Sequence, residues 1–349
     1  MNDWKYLPIL KWKQGERIAV RQLEPAHWTG VVPLVELLAI DSAPDAASLR
    51  AALPAYLAKV AKEIKAAVPE DRALAVDVRF VSPAYARQLQ LLEAVCRRLQ
   101  AESDRRIYPV LGNAAAAREA ADLPRLASKF DEFIVRIDVP SSTPAEIKPV
   151  FKLVNDVLKP SPVHVAIDQQ SMVGHEPKAA ALRIKPYLDE ALAAGGASVT
   201  LAGGSFPMNL IGFKQGVVDI ERVEWKVWRQ IVRTAAYTSV KFSDYAVTNP
   251  APVPDMDPTQ MNPSVAIRYA ADGFWRLFKA GGFKKGAPNQ YQALCKLLLG
   301  DVVYSGSGFS YGDRCYSQAA NAKLGNGNPS SWRRDATSHH LVLTAAALP

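Results

Sequence analysis

Cysteine is scarce: three residues in 349, Cys96, Cys295 and Cys315, far apart and without CxxC spacing. An odd, dispersed set excludes a disulfide framework and a thiolate zinc site, and suits free thiols in a reducing cytoplasm. Two of them lie in helical patterns (LLEAVCRRL and QALCKLLL), as small buried hydrophobes. No apolar run approaches the roughly 20 residues that span a bilayer. The start, MNDWKYLPILKWKQGE, is too polar for a signal peptide. The expectation is a soluble, cytoplasmic protein with no membrane partner. Walker-type P-loops, GxGxxG fingerprints and GxSxG elbows are also missing. So are runs of five or six like charges, which argues for a generic basic surface over a dedicated nucleic-acid groove.

Charge is present, and it is biased. The net charge of +8 favours anionic partners: an anionic small molecule, nucleic acid or an acidic protein surface. Nothing in the composition sets the oligomeric state.

The clearest pattern is alternation. Eight strand-like runs are expected over 7–11, 31–37, 73–80, 107–111, 133–138, 163–168, 198–202 and 240–245. Helical stretches separate them: 16–23, 46–67 with Asp45 as cap, 83–102 opened by Ser82-Pro83, and 114–129. Three more run from the Ser141-Ser142-Thr143-Pro144 cap to 159, over 176–194 and over 221–234. Eight units in about 250 residues predict an α/β fold of the (β/α)8, TIM-like barrel type with a C-terminal extension. A doubly wound open α/β sheet is the alternative, since alternation alone predicts both. The expected division is a barrel over 1–248 and an extension over 249–349. That extension comprises a long loop at 248–263, a hairpin turning at Ala271-Asp272-Gly273, a helix over 290–299 that would close the barrel, and a Gly-rich tail.

Several strands turn charged at their C-terminal ends, where a barrel carries its site. Period two puts Asp77 with Arg79 on one face and Arg136 with Asp138 on another, while Asp168 shares a face with Ala166 and His164. If these faces point inward, Glu36, Asp77, Asp138 and Asp168 converge with Lys11, Arg79 and Arg136. The carboxylates are the candidate catalytic residues, as acid/base groups or Mg²⁺ ligands, and the cations are candidate anion holders. The competing reading is a mutually neutralising ion network closing the barrel. Ser205 after Gly203-Gly204, and Asp244-Tyr245, extend the rim as candidate substrate-binding residues. Tail residues Asp313, Trp332, Arg333 and His339 join them, because a Gly-rich segment rich in aromatic and charged residues is costly to order unless something packs on it. Adjacent on a helix, His339 and His340 point about 100° apart and are poorly placed to share one metal. No metal is specified by these residues.

YLPILKWKQGERIAV, VVPLVEL, FSYGDRCY and SWRRDATSHHLVL together resemble the "beta protein" family of phages and bacterial mobile elements. The matching positions are Lys11, Gly15-Glu16, Pro33-Leu34, Glu36, Tyr311-Gly312-Asp313, Trp332 and His339-His340. The resemblance implies a phage-associated context, with antiviral defence among its roles and a partner encoded nearby. It supplies no reaction. Two functions stay open: a barrel enzyme, such as a hydrolase, acting on a phosphate- or nucleotide-like anion, and a non-catalytic sensor of a phage protein or nucleic acid. In the second, Trp275, Trp332, Arg333 and Arg334 would be surface anchors.

Overall fold

Period-two patterning builds the wall of this molecule. In the computed structural model, which describes residues 4–40, 45–82, 85–252, 262–284 and 286–349, the strands are β1 (Ile9–Lys11), β2 (Leu34–Glu36), β3 (Ala73–Asp77) and β4 (Arg106–Gly112). They continue as β5 (Phe133–Asp138), β6 (Val163–Ser171) and β7 (Val199–Gly204). After β8 (Gly216–Glu221), which leaves the wall, β9 (Lys241–Asp244) completes it. All neighbours pair in parallel, in the order β1-β2-β3-β4-β5-β6-β7-β9. A parallel bridge between Tyr6 and Phe242, and the Leu7 N–H donating to the Phe242 carbonyl at 3.0 Å, draw the two edges together. The barrel is near-closed. A doubly wound sheet would reverse its strand order midway, and this one never does.

Helices α1 (Gln14–Arg21), α2 (Ala46–Ala67), α3 (Gln88–Ser103), α4 (Asn113–Arg118), α5 (Leu123–Ala127), α6 (Pro144–Leu158), α7 (Pro177–Ala193) and α8 (Val223–Val232) follow the strands. Outward residues such as Leu10, Val35, Leu74 and Val76 join these helices in the main core. Inward ones, including Ile9, Leu34, Ala75, Val110, Ile134, Ala166 and Ala202, fill the barrel. Two expected helices differ. The one expected over 83–102 begins at Gln88, where the Leu89 N–H donates to Glu119 Oε2 at 2.8 Å; Pro83 lies outside the described residues. The stretch expected over 114–129 breaks into α4, a 3-10 turn and α5, because Pro124 has no N–H for a continuous helix.

Beyond β9 the expected hairpin forms as β10 (Ser264–Ala271) and β11 (Phe274–Gly282), turning at Asp272-Gly273. Most of the expected 248–263 loop lies outside the described residues. Unanticipated β8 pairs antiparallel with β11, giving a three-stranded sheet. Helices α9 (Gln290–Leu299), α10 (Tyr311–Ala320) and α11 (Pro329–Ala347) pack on it. The helix that completes the barrel's outer layer is α11, not α9. Leu341, Ala345 and Leu348 at its end enter the main core, while Trp332 at its start enters the core of the extension. Residues near the start of α11 pack on Gly15 of α1, so a Cβ there would fall 2.7 Å from the Ser330 carbonyl oxygen.

Candidate functional site at the upper rim

One layer above Ile9, Leu34, Ala75, Ile134 and Ala166, the inward positions are Lys11, Glu36, Asp77, Arg136 and Asp168. Strand register sets Lys11 beside Glu36 and Glu36 beside Asp77. Arg136 lies across the ring, fully buried. Its Nη1 donates to Glu36 Oε1 at 2.8 Å and to Asp77 Oδ2 at 2.7 Å, and its Nη2 to Asp168 Oδ2 at 2.7 Å. The Tyr245 hydroxyl donates to the same Asp168 oxygen at 2.6 Å. Arg79 caps the ring, its Nε donating to Asp77 Oδ2 at 3.1 Å.

Burial pushes Asp77 up, but Arg79 and Arg136 together pull it below its ordinary value. Burial dominates at Glu36 and holds it above its ordinary value despite Arg136; its Oε2 has no hydrogen-bond partner among the described residues. Three carboxylates around a guanidinium form a compensated buried network, which is affordable only with this degree of pairing. The guanidinium sits where a hydrated Mg²⁺ would have to sit, so the ring fits Arg136 and not that ion. Among the described residues no group of three or more His, Cys, Asp or Glu side chains is arranged to hold a metal.

Asp138 stands above the ring, half-buried. Gln170 bridges it to the ring, with Nε2 donating to Asp138 Oδ1 at 2.8 Å and to Asp168 Oδ2 at 2.7 Å. The sequence therefore brings together Lys11, Glu36, Asp77, Arg79, Arg136, Asp138, Asp168 and Tyr245.

Ser205 and Asp244 go elsewhere, because their strands turn them outward. Ser205 donates to Glu224 on α8. Gly203-Gly204 makes close packing feasible: a Cβ on Gly203 would meet Met172 Sδ at 2.5 Å, and one on Gly204 would meet Tyr245 at 3.1 Å. Asp244 accepts from the Tyr6 hydroxyl at 2.7 Å and pairs with His340 Nε2 at 2.7 Å. Burial pushes His340 below its ordinary value, against the pull of Asp244. Arg222 lies between the Trp225 and Trp275 rings and reaches Asp244 Oδ2 at 3.4 Å.

Asp313 and His339 are buried inside the extension. His339 Nδ1 lies 2.8 Å from Asp313 Oδ2, and the Tyr269 hydroxyl donates to Asp313 Oδ1 at 2.7 Å. Trp332 and Trp275 are buried too, which corrects their reading as surface anchors, and Arg334 is paired with Asp335.

Beside the ring the charges are less evenly matched. Lys11 donates to the Asn249 carbonyl at 2.8 Å and to that of Ala251, and reaches no carboxylate by a hydrogen bond among the described residues. Burial lowers it, with Glu36 and Glu16 opposing and Arg333 and Arg136 assisting. Lys13 is pushed down to about 8 by burial, with Arg333, Lys11 and Arg268 adding to the effect. Arg268, its Nη1 donating to the Val247 carbonyl at 2.9 Å, is pushed down to about 9 by burial and then Arg333. The carboxylate common to all these cations is fully buried Glu16, raised to about 7 by burial despite Arg333. Lys13, Glu16 and Arg268 escaped the site reading. Lys11-x-Lys13 and Gly15-Glu16 were visible in the sequence, whereas Arg268 comes from a distant hairpin.

Two cavities lie away from the ring. One, of about 130 Å³, sits at the opposite barrel end beside Trp4, Trp28 and Arg72. The other, of about 700 Å³, runs along β11 and α9, lined by Gln215, Gly282, Gln290 and Leu294.

A family model described as "Beta protein" matches residues 6–345. No curated protein matches. Among solved structures, the chain is similar to the Paramecium bursaria Chlorella virus arginine decarboxylase bound to agmatine. Identity is 10%, with 80% of this chain and 84% of that one covered and a TM-score of 0.39. The multifunctional pyruvate carboxylase from Rhizobium etli gives 11% identity over 59% of this chain, at a TM-score of 0.29. The match spans only 22% of that carboxylase. The barrel assignment therefore rests on strand order and closure.

Proposed function

This chain belongs to the Beta protein family, and from the charges above its barrel we propose that it binds a phosphate- or nucleotide-like anion. One observation carries the reading: Lys11, Lys13, Arg268 and Arg333 gather around Glu16, while the other carboxylate near them, Glu36 beside Lys11, is committed to Arg136. Clustered, partly buried cations repel one another, and an anion relieves that repulsion. Binding is favoured over hydrolysis because Glu36, Asp77 and Asp168 are each committed to Arg136. The phage and mobile-element setting implied by the family resemblance adds antiviral defence as the context of that binding.

The test is thermal unfolding with sulfate, inorganic phosphate or ADP, on the native protein and on Lys13→Ala/Arg333→Ala. At about 100-fold excess over Kd a site-bound anion stabilises by about 2.7 kcal/mol, which raises Tm by several degrees in the native protein only. An equal shift in both proteins, or none with any anion, would overturn the proposal.

A further inference from the structure

Glu16 is buried at the centre of the basic cluster, and part of its hydrogen-bonding capacity is unused. Its Oε2 accepts from the Lys13 backbone N–H at 3.3 Å, while Oε1 has no partner among the described residues. The carboxyl is held in place by the packing beside it. A Cβ on Gly15 would fall 3.1 Å from the Arg334 nitrogen and 3.2 Å from Arg333 Cβ, so α1 lies directly against the first turns of α11. The groups that face Glu16 are Lys11 from β1, Lys13 at the start of α1, Arg333 from α11 and Arg268 from β10. The neighbouring charges are occupied: Arg17 with Glu63, Arg334 with Asp335, and Glu36 with Arg136.

A ligand anion entering among these cations meets a carboxylate that burial keeps from turning away. Two adjacent anions cannot both keep their charge in a site of low polarity. We infer that Glu16 is the site's internal counter-anion and that ligand binding neutralises it by protonation, so the protein takes up a proton with its anion. The proton comes from solvent and goes to the unpartnered Oε1; no other bond is made or broken. The inference rests on the anion-binding reading above and adds the linkage. Since burial already raises Glu16 to about 7, a modest push completes the protonation near neutral pH.

Calorimetric titration with sulfate, which does not itself titrate near neutrality, tests this at constant ionic strength. With Glu16 near 7 and Lys13 near 8, linkage predicts a loss in affinity of about tenfold from pH 7 to pH 8, about fivefold from Glu16 and about twofold from Lys13. Glu16→Gln should be shallower than native, with only the Lys13 part left and that part above twofold because Glu16 no longer holds Lys13 up, and Glu16→Asp should keep the steeper slope. Independently of any variant, heats measured at pH 7 in two buffers of different ionisation enthalpy should report uptake of about half a proton. Sulfate binding with no buffer-dependent heat, or with the same slope in native and Glu16→Gln proteins, overturns the linkage and leaves the anion site standing. No sulfate binding to the native protein at any pH overturns both.

Discussion

Replacing Arg136 with methionine keeps the bulk of the side chain and removes the one group on which the ring converges. Arg136 serves Glu36, Asp77 and Asp168 at 2.7–2.8 Å, all inside the barrel. Breaking a buried ion pair by removing one partner costs about 3–5 kcal/mol, because the other charge is left buried and uncompensated. Here three carboxylates lose their shared cation, so the upper end of that range is expected at pH 8.

The sign follows from proton counting. In the native protein Asp77 is held below its unfolded value, so its stabilisation is present at neutral pH and lost as pH falls through its folded pKa. In the variant Glu36, already raised by burial, rises further, and Asp77 loses the Arg136 share of the pull that holds it down. The folded state then binds more protons, and stability falls as pH rises above about 4. Urea unfolding followed by tryptophan fluorescence at pH 8 and pH 5 reads the difference directly. The variant should be about 3–5 kcal/mol less stable than native at pH 8, with a clearly smaller deficit at pH 5. A deficit under about 1 kcal/mol at pH 8, or one that grows on acidification, would refute the ion-network account.

Two further perturbations test other parts of the molecule. A Cβ on Gly312 would lie 2.0 Å from the Asp335 carbonyl oxygen, so Gly312→Ala must push α10 off α11 and should cost about 1–3 kcal/mol in thermal unfolding. Gly308→Ala, with nothing within 4 Å, should change stability by under about 0.5 kcal/mol, and equal effects at the two positions would contradict that packing. Glu224 is raised to about 7, by burial first, despite Arg222. Because a raised carboxyl binds its proton better in the folded state, the native protein should lose about 3 kcal/mol more than Glu224→Gln between pH 4.5 and pH 8. Parallel stability profiles for the two proteins would show that Glu224 does not titrate there.

The barrel was legible because a strand facing helices on one side and a filled interior on the other repeats its burial every second residue. That period carried Asp77, Arg136 and Asp168 to the correct face, and it grouped them with Lys11 and Glu36 before any contact was known. It did not reveal that Arg136 would reach across to three other strands, since side-chain reach is not a periodic signal. Ser205 and Asp244 show the matching failure. They sit at strand ends like the others, but one residue out of phase, and a one-residue offset turns a side chain to the opposite face. β8 was invisible because Gly216–Glu221 is largely exposed and gains its order from β11, some 60 residues later in the chain. The basic cluster joins β1, α1, β10 and α11, and only tertiary packing assembles such a set.

The histidine pair shows what adjacency in sequence can build. Successive residues on a helix point about 100° apart, which places them against different neighbours and away from one ligand. On α11, His339 turns into the extension, stacking on Tyr269 at 3.8 Å between centroids and meeting Asp313. His340 turns toward the barrel, stacking on Trp275 at 4.8 Å and meeting Asp244, which also holds Tyr6 at the closing seam. Each histidine thus pairs with an aspartate that accepts a tyrosine hydroxyl, once on each side of the same helix. Polar partners of this kind are satisfied in one register only, because sliding or rotating α11 by one residue would take from each buried aspartate its histidine partner and bury both histidines without one. The pair therefore fixes α11 against the barrel and the extension together. Arg333, on the same helix, is set by that register beside Glu16, Lys13 and Arg268.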